Sequence, residues 1–310
     1  MQGIVTRSTG SWYDVRVGDR TIPSRARGKF RLTRQDVTNP VAVGDRVTIR
    51  LNEEDDTGLI MDIHGRTNKL SRRAAGHRQG EEHVMVANVD RVWIVQSVQL
   101  PSLNPAFVDR LLVAAAVYEI PAGIIINKMD LLTDDNRPAV TDFHLRYEDL
   151  GLPVLPTSAA TRYGLDRLEK ALKGQVNVIT GPSGTGKSSL LNAIEPGLDV
   201  ETGEVSESTH KGTHTTTHAE LHPLSIGGYV VDTPGIREFG VREVHPKDLG
   251  HYMPDIAPYV NECQFPDCTH DHEPGCAVKA AVEHGDIHPN RYDSYLRILD
   301  SLQEEEQKKF

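Results

Sequence analysis

Residues 123–132, GIIINKMDLL, and residues 181–189, GPSGTGKSS, decide how the rest of the chain is read. The first stretch is an apolar run that opens into a short polar loop, Asn127, Lys128, Met129 and Asp130. That is the pattern of a base-reading loop placed after a buried strand. The second fits G-x-x-x-x-G-K-[ST] without a mismatch. An apolar run (residues 175–180, QVNVIT) precedes it and a helix start (residues 189–194, SLLNAI) follows, the strand–loop–helix context that a phosphate loop needs. The base-reading stretch therefore stands upstream of the phosphate-gripping one, the reverse of their usual order.

The phosphate loop places glycines where backbone N–H groups must converge on phosphate oxygens at a helix N-terminus. Gly181, Pro182, Ser183, Gly184, Thr185, Gly186, Lys187, Ser188 and Ser189 are the candidate contacts. Lys187 is expected to reach the β- and γ-phosphates, and the Ser188 hydroxyl to ligate Mg²⁺. Downstream, VVDTPG (residues 230–235) ends an apolar run. Asp232 there is placed to hold Mg²⁺ through water, and the Gly235 N–H to meet the γ-phosphate. Between the two lies KGTHTTTH (residues 211–218), a hydroxyl-rich loop of the kind that closes over a nucleotide. Thr215, Thr216 and Thr217 are all candidates for the Mg²⁺-ligating hydroxyl, and spacing does not choose among them. His210, His214, His218 and His222 recur at every fourth position, but the intervening threonines and glycine make a poor helix for a second metal site.

Base choice rests on Asp130. Its carboxylate can accept hydrogen bonds from guanine N1–H and the 2-amino group. Adenine offers neither, and a buried carboxylate left unpaired costs about 1–3 kcal/mol or more. Asn127 is expected to brace the loop, with the stem of Lys128 lying over the ring. Thr157, Ser158 and Ala159 end the next apolar run and suit a loop whose backbone N–H meets guanine O6. GTP rather than ATP is the expected ligand. The order NKMD, TSA, phosphate loop, threonine loop, DTPG is a cyclic rotation of the usual GTPase order with every neighbour preserved. A parallel sheet tolerates this, because the old termini can be joined and a surface loop cut elsewhere.

With 310 residues the chain has room for two or three domains. Residues 1–75 read as short strands punctuated by glycine, as in DRVTIRL (residues 45–51), and point to a small closed barrel of the OB type. From about residue 84 apolar strands alternate with helical segments, the pattern of a parallel sheet covered on both faces. After residue 245 no strand pattern remains; helices are expected near residues 277–284 and 292–303, with the EEEQKK ending frayed. The expected architecture is an N-terminal OB-fold β-barrel (1–75), a central circularly permuted P-loop α/β domain (76–244) and a C-terminal, mainly helical zinc-binding domain (245–310). No apolar run reaches membrane-spanning length and the first residues lack a signal-peptide core, so a cytoplasmic protein without a membrane partner is expected.

The net charge is −10, yet residues 1–80 hold 15 Lys/Arg against 9 Asp/Glu. A basic module on an acidic chain suggests local attraction to a polyanion. Trp12, Tyr13 and Phe30 are candidates for stacking on RNA bases, with Arg25, Arg27, Lys29 and Arg31 on phosphates. The competing reading puts the aromatics in the barrel core and the basic residues on a solvated strand.

All three cysteines fall in CQFPDCTHDHEPGC (residues 263–276). Cys263, Cys268, a histidine and Cys276 supply three thiolates and one imidazole, a closed tetrahedral set for structural zinc. On spacing alone His270 and His272 compete for the fourth place.

On these motifs the sequence closely resembles the circularly permuted GTPases called ribosome small subunit-dependent GTPase A. ARGKFR (residues 26–31), VGDRV (residues 43–47) and ANVDRVWIV (residues 87–95) extend the likeness over essentially the whole chain. Two departures are minor: Thr185 stands where valine is frequent, and Thr233 where serine also occurs. The resemblance implies Cys263, Cys268, His270 and Cys276 as ligands of one zinc, and Mg²⁺ bound with GTP. It also implies binding to the 30S subunit and its 16S rRNA late in maturation, with hydrolysis to GDP and phosphate stimulated by the subunit. A monomer is expected. Ile236 occupies the place after DTPG where many GTPases carry a water-orienting glutamine, which predicts slow intrinsic hydrolysis. His214 is the candidate water-positioning residue. The segment after DTPG leads into the cysteine cluster, so a switch movement there is expected to reach the C-terminal module. Two rival readings are a GTP-gated RNA-binding module that scarcely hydrolyses, and an unrelated ATPase or kinase with a zinc appendage.

Overall fold

Alternating inward residues set the first five strands, β1 (Gln2–Ser8), β2 (Tyr13–Val17), β3 (Arg20–Ala26), β4 (Arg46–Asn52) and β5 (Thr57–Ile63). They are seen in a computed structural model that describes residues 1–28, 30, 39–52, 54–73, 82–198, 219–232 and 244–307. Neighbouring strands pair antiparallel except β3 with β5, and β1 closes the ring against β4. Among the described residues closure gives each of these strands a partner on both sides, which is how a small barrel avoids edge-to-edge association. Val5, Val15, Ile22, Val47, Ile49 and Ile60 fill it. Tyr13 and Phe30 join them, 5% and 8% exposed.

A hairpin of β6 (Lys69–Arg73) and β7 (Glu82–Ala87) stands beside the barrel, tied to it where Ala87 N donates to Val43 O at 2.8 Å. Gly44 is required at this junction: its φ is +85° and a Cβ there would lie 2.0 Å from Ala87 O. Arg66 clamps the same corner, its Nε and Nη2 reaching the fully buried Asp45 carboxylate at 2.7 and 2.8 Å.

The α/β domain follows as β8 (Arg91–Ser97), α1 (Pro105–Val117), β9 (Ala122–Asn127), α2 (Arg137–Glu148), β10 (Val154–Pro156), α3 (Leu165–Leu172), β11 (Val176–Thr180), α4 (Lys187–Ile194), β12 (Glu220–Pro223) and β13 (Tyr229–Asp232). In space the strands run β10-β9-β8-β11-β13-β12, all parallel except β12. Strand β8 is apolar on both faces because helices cover both sides of a parallel sheet. The rotation expected from motif order is visible here, since β8 is followed in chain order by β9 but pairs on its other side with β11, more than seventy residues downstream. Strand β12 was not foreseen; its four residues meet β1 at Arg7 and Glu220, so the barrel and the sheet are continuous.

The C-terminal region is helical: α5 (Ala257–Val260), α6 (Ala277–His284) and α7 (Pro289–Gln307) pack around Leu249, Ile256, Ile287, Ile298 and Leu299. Val113 of α1 belongs to this cluster while Leu111 and Leu112 face the sheet, so α1 is buried on two sides. The expected frayed ending is corrected as far as Gln307: α7 starts at Pro289 and carries Glu304, Glu305 and Glu306 in regular helix, while Lys308 and Lys309 lie outside the described residues. Arg110 lies 4.0 Å from Glu305 and His245 lies 3.4 Å from Glu306, which holds the last turns against the fold. Among the described residues no helix is long and apolar enough to cross a membrane.

Candidate nucleotide site and metal centre

The candidate base and phosphate loops after β9, β10 and β11 leave the carboxyl ends of parallel strands, the edge where open α/β sheets bind ligands. The phosphate loop connects β11 to α4. Gly181 passes so close to β8 that a Cβ would lie 2.3 Å from Val95 O. Gly186, at φ +88°, forms the N-terminal cap of α4, and Lys187 and Ser188 begin its first turn. Thr185 is fully buried and its hydroxyl donates to Pro182 O at 3.0 Å. The Lys187 ammonium donates to Gly181 O and Pro182 O at 2.9 and 2.8 Å, which draws the charge across the loop. Ser183, Gly184 and Ser189 are exposed along it, with Pro182 half-buried.

The base-reading loop is held by its own asparagine. Asn127 is 1% exposed; its Nδ2 donates to Thr185 O at 2.9 Å, and its Oδ1 accepts from Ala159 N at 3.3 Å and Thr157 Oγ1 at 3.4 Å. One side chain therefore joins the loops after β9, β10 and β11. Of the backbone N–H groups in the loop at residues 157–159, one of which is expected to meet guanine O6, that of Ala159 is engaged by Asn127 in this arrangement. Ser158 Oγ donates to Asp130 Oδ1 and accepts from Thr161 N at 3.1 Å. Met129 opens a tight turn with its N–H on Thr157 O at 3.0 Å, and Asp130 projects from that turn to the exposed surface. Lys128 adopts a left-handed backbone (φ 60°, ψ 40°), and its ammonium donates to Leu100 O. That last contact comes from residues the sequence reading missed. A leucine–proline pair carries no base- or phosphate-binding chemistry of its own, and its one signal was its place just past the end of β8.

Asp232 is the last residue of β13, at the same edge of the sheet. Its side chain lies outside the described residues, as do Gly235, His214, Thr215, Thr216 and Thr217.

The cysteine cluster assembles as a second centre. Ligand atoms of Cys263, Cys268, His270 and Cys276 all lie within 4.8 Å of one another. His270 presents Nδ1, 3.3 Å from Cys263 Sγ and 3.5 Å from Cys276 Sγ. His272 is excluded: its side chain is 81% exposed and lies 3.5 Å from Asp271. Burial pushes the Cys268 thiol up to about 12 and raises Cys276 as well, while burial lowers His270 and keeps its ring neutral. Three crowded thiols and a neutral imidazole are a donor set that a dication completes, since it favours the thiolates that burial opposes. Cys276 also caps α6, accepting from Lys279 N at 3.5 Å. The ligand loop is braced by Glu273. Burial would raise its carboxyl, but hydrogen bonds from Thr269 Oγ1, Thr269 N and Asp271 N prevail and bring it to about 2.

On the barrel, the Arg25 guanidinium lies 4.1 Å from the Trp12 ring centroid, and Arg25 and Arg27 are exposed. Two of the expected stacking residues are corrected. Tyr13 and Phe30 are buried in the barrel core, where their apolar rings leave water and present no face to a base. Lys29 and Arg31 lie outside the described residues.

Comparison with known proteins now bears on this geometry. The model of the RsgA GTPase family matches residues 63–242, and that of the RsgA N-terminal domain matches residues 2–60. The chain belongs to the RsgA GTPase family. An RsgA relative from Bacteroides fragilis, named a small ribosomal subunit biogenesis GTPase, is 41% identical over 305 residues, covering 98% of each chain. An RsgA relative of the same name from Gemmatimonas aurantiaca is 42% identical over 303 residues, covering 97% of each. The crystal structure of YjeQ from Thermotoga maritima superposes with a TM-score of 0.80 at 35% identity, covering 97% of this chain and 98% of that one. YloQ, described as a circularly permuted GTPase, gives 0.78 at 31% identity, covering 98% and 95%. As an RsgA-family member the chain is a GTP hydrolase, which removes the reading as an unrelated ATPase or kinase.

Proposed function

We propose that this GTPase acts in biogenesis of the small ribosomal subunit, binding the 30S particle and its 16S rRNA through the barrel and the C-terminal module. The observation that carries the nucleotide part is Asn127, whose buried amide ties the base loop to the phosphate loop at 2.9 Å. Asp130 reads guanine, Lys128 covers the ring, and Met129 and the backbone of Ser158 and Ala159 line the base side. Residues 181–189 hold the phosphates, with the Lys187 ammonium exchanging its loop carbonyls for phosphate oxygens. Asp232 and Gly235 complete the γ-phosphate side.

Mg²⁺ would be held by Ser188 and one of Thr215, Thr216 or Thr217, with Asp232 acting through water, and would neutralise charge on the phosphates. Zinc fits Cys263, Cys268, His270 and Cys276 and supplies structural cross-linking only, because four protein ligands leave no open position. In hydrolysis a water attacks the γ-phosphorus in line, the bond to the β–γ bridging oxygen breaks, and GDP leaves with phosphate. Ile236 cannot orient that water, so His214 takes the role once the ribosomal particle is bound. The division into 1–75, 76–244 and 245–310, with β6 and β7 pairing across the first boundary, assigns RNA contact to the outer two parts. Trp12, Arg25, Arg27, Lys29 and Arg31 are the barrel's contacts. The protein works as a cytoplasmic monomer.

The test is hydrolysis of GTP and of ATP, each with and without purified 30S subunits. GTP turnover that rises at least tenfold with the subunit, with no ATP turnover, is expected. Turnover indifferent to the subunit would sink the proposal. His214→Ala should lose the stimulated component and keep nucleotide affinity.

A further inference from the structure

Residues 98–104 join β8 to α1 and carry none of the nucleotide motifs, yet they stand against two of the nucleotide loops. Leu100 O accepts the Lys128 ammonium. Pro101 flanks the phosphate loop, its Cδ 3.4 Å from where a Cβ on Gly184 would stand. The turn is held from behind by buried side chains. Ser97 Oγ donates to Pro101 O at 2.7 Å, and Gln96 Oε1 accepts from Asn104 N at 3.0 Å. Ser97 and Gln96 are each 1% exposed, whereas Leu100 is 76% exposed. Leucine is therefore not kept at the turn for burial. What the turn presents to the base loop is its carbonyl, from a left-handed backbone at φ 53°.

We infer that the turn at Leu100 and Pro101 positions Lys128, with Ser97 as the residue that fixes it. A free lysine side chain holds about 2 kcal/mol of rotamer entropy, which binding would have to remove. Anchoring the ammonium beforehand on Leu100 O leaves the alkyl stem already laid out between the base loop and the phosphate loop. Guanine then meets an ordered surface, and affinity rises through preorganisation rather than through a new contact. The inference deepens the guanine-site reading and rests on it.

The test is a double-mutant cycle read as GDP affinity by calorimetry on the full-length protein, alongside thermal melting without nucleotide. Ser97→Ala and Lys128→Met are each expected to weaken GDP binding about five- to tenfold, and the double variant no further than the stronger single one. Ser97→Thr, which keeps the hydroxyl, is expected to restore affinity. Wild-type affinity in Ser97→Ala, or losses that multiply in the double variant, would overturn the inference. Should Ser97→Ala fail to fold, Lys128→Met decides alone, since its side chain is only half-buried; unchanged affinity in it overturns the role. Asp130→Ala separates the two levels. A large loss there with no effect of Ser97→Ala removes only the positioning role, whereas no loss removes the guanine reading as well.

Discussion

At Gly186 the backbone is left-handed and a Cβ would stand 2.4 Å from Asn127 Nδ2. Both facts act in one direction, so Gly186→Ala should cost about 1–3 kcal/mol of stability. It should also weaken GTP binding at least tenfold, by displacing the asparagine that joins the loops. Denaturant titration and calorimetry of the purified variant check the two effects separately. Asp130 invites a subtler change. Asp130→Asn keeps an acceptor for the Ser158 hydroxyl but replaces a charged acceptor of guanine N–H groups. Charge-assisted hydrogen bonds contribute roughly 1.5–3 kcal/mol, so GTP affinity should fall about 10- to 150-fold. Xanthosine triphosphate, whose extra carbonyl accepts from the new amide, should gain; competition binding with the two nucleotides measures the shift. Gly186 and Asp130 stand out in the sequence because guanine and phosphate would demand particular donors and acceptors at those places, and the structure sets both on neighbouring loops. Tyr13 and Phe30 were not legible in that way, since an aromatic ring serves a barrel core and an RNA base equally well and only closure of β1 against β4 decides.

The short helices of the C-terminal region are tied to the Cys263, Cys268, His270 and Cys276 cluster, and their own length does not sustain them. Helix α6 has eight residues and α5 four, both too short to persist alone in water. Their anchors are Cys276 at the cap of α6 and the Tyr292 and Tyr295 hydroxyls of α7, which donate to His270 O at 2.7 Å and Thr269 O at 2.8 Å. Metal analysis of the purified protein should find one zinc per chain. A strong chelator should lower helical circular dichroism and the first melting transition together, because metal binding and local folding are one equilibrium. Cys268→Ala should reproduce both effects, and His272→Ala neither. Helix α6 was legible in outline, but the choice of His270 over His272 was not. The two differ by two positions in sequence and by burial in space, and the turn of the loop at His270, φ 59°, settles which one points inward.

Across the whole molecule the nucleotide domain and the helical module share a buried ionic network. Arg291 of α7 donates to Asp109 of α1 and, at 2.9 and 2.7 Å, to Asp255; Tyr147 of α2 donates to Asp109 at 2.7 Å. Arg291 and Asp109 are each 1% exposed. Burial opposes the guanidinium charge, but Asp255 and Asp109 outweigh it and hold the arginine charged, while burial and Asp109 keep the tyrosine neutral. Arg291→Met leaves two carboxylates without their cation and should cost about 3–5 kcal/mol, measured by urea unfolding at neutral pH. Asp109→Asn combined with Arg291→Met should cost less than the sum of the single changes, since the partners are removed together. Any movement passed from the DTPG end to the metal module must carry α1 along or break this network.

The amino-acid sequence alone determined the candidate sites and their rotated order. Phosphate, guanine and zinc each require residue types that few other pressures place at those spacings. Tertiary structure decided the rest: which histidine joins the cysteines, which aromatics the barrel swallows, that a leucine carbonyl meets Lys128, and that Asp109 finds Arg291 across 182 positions. Those outcomes depend on burial and on partners far away in the chain, and a local pattern of residues carries no record of either.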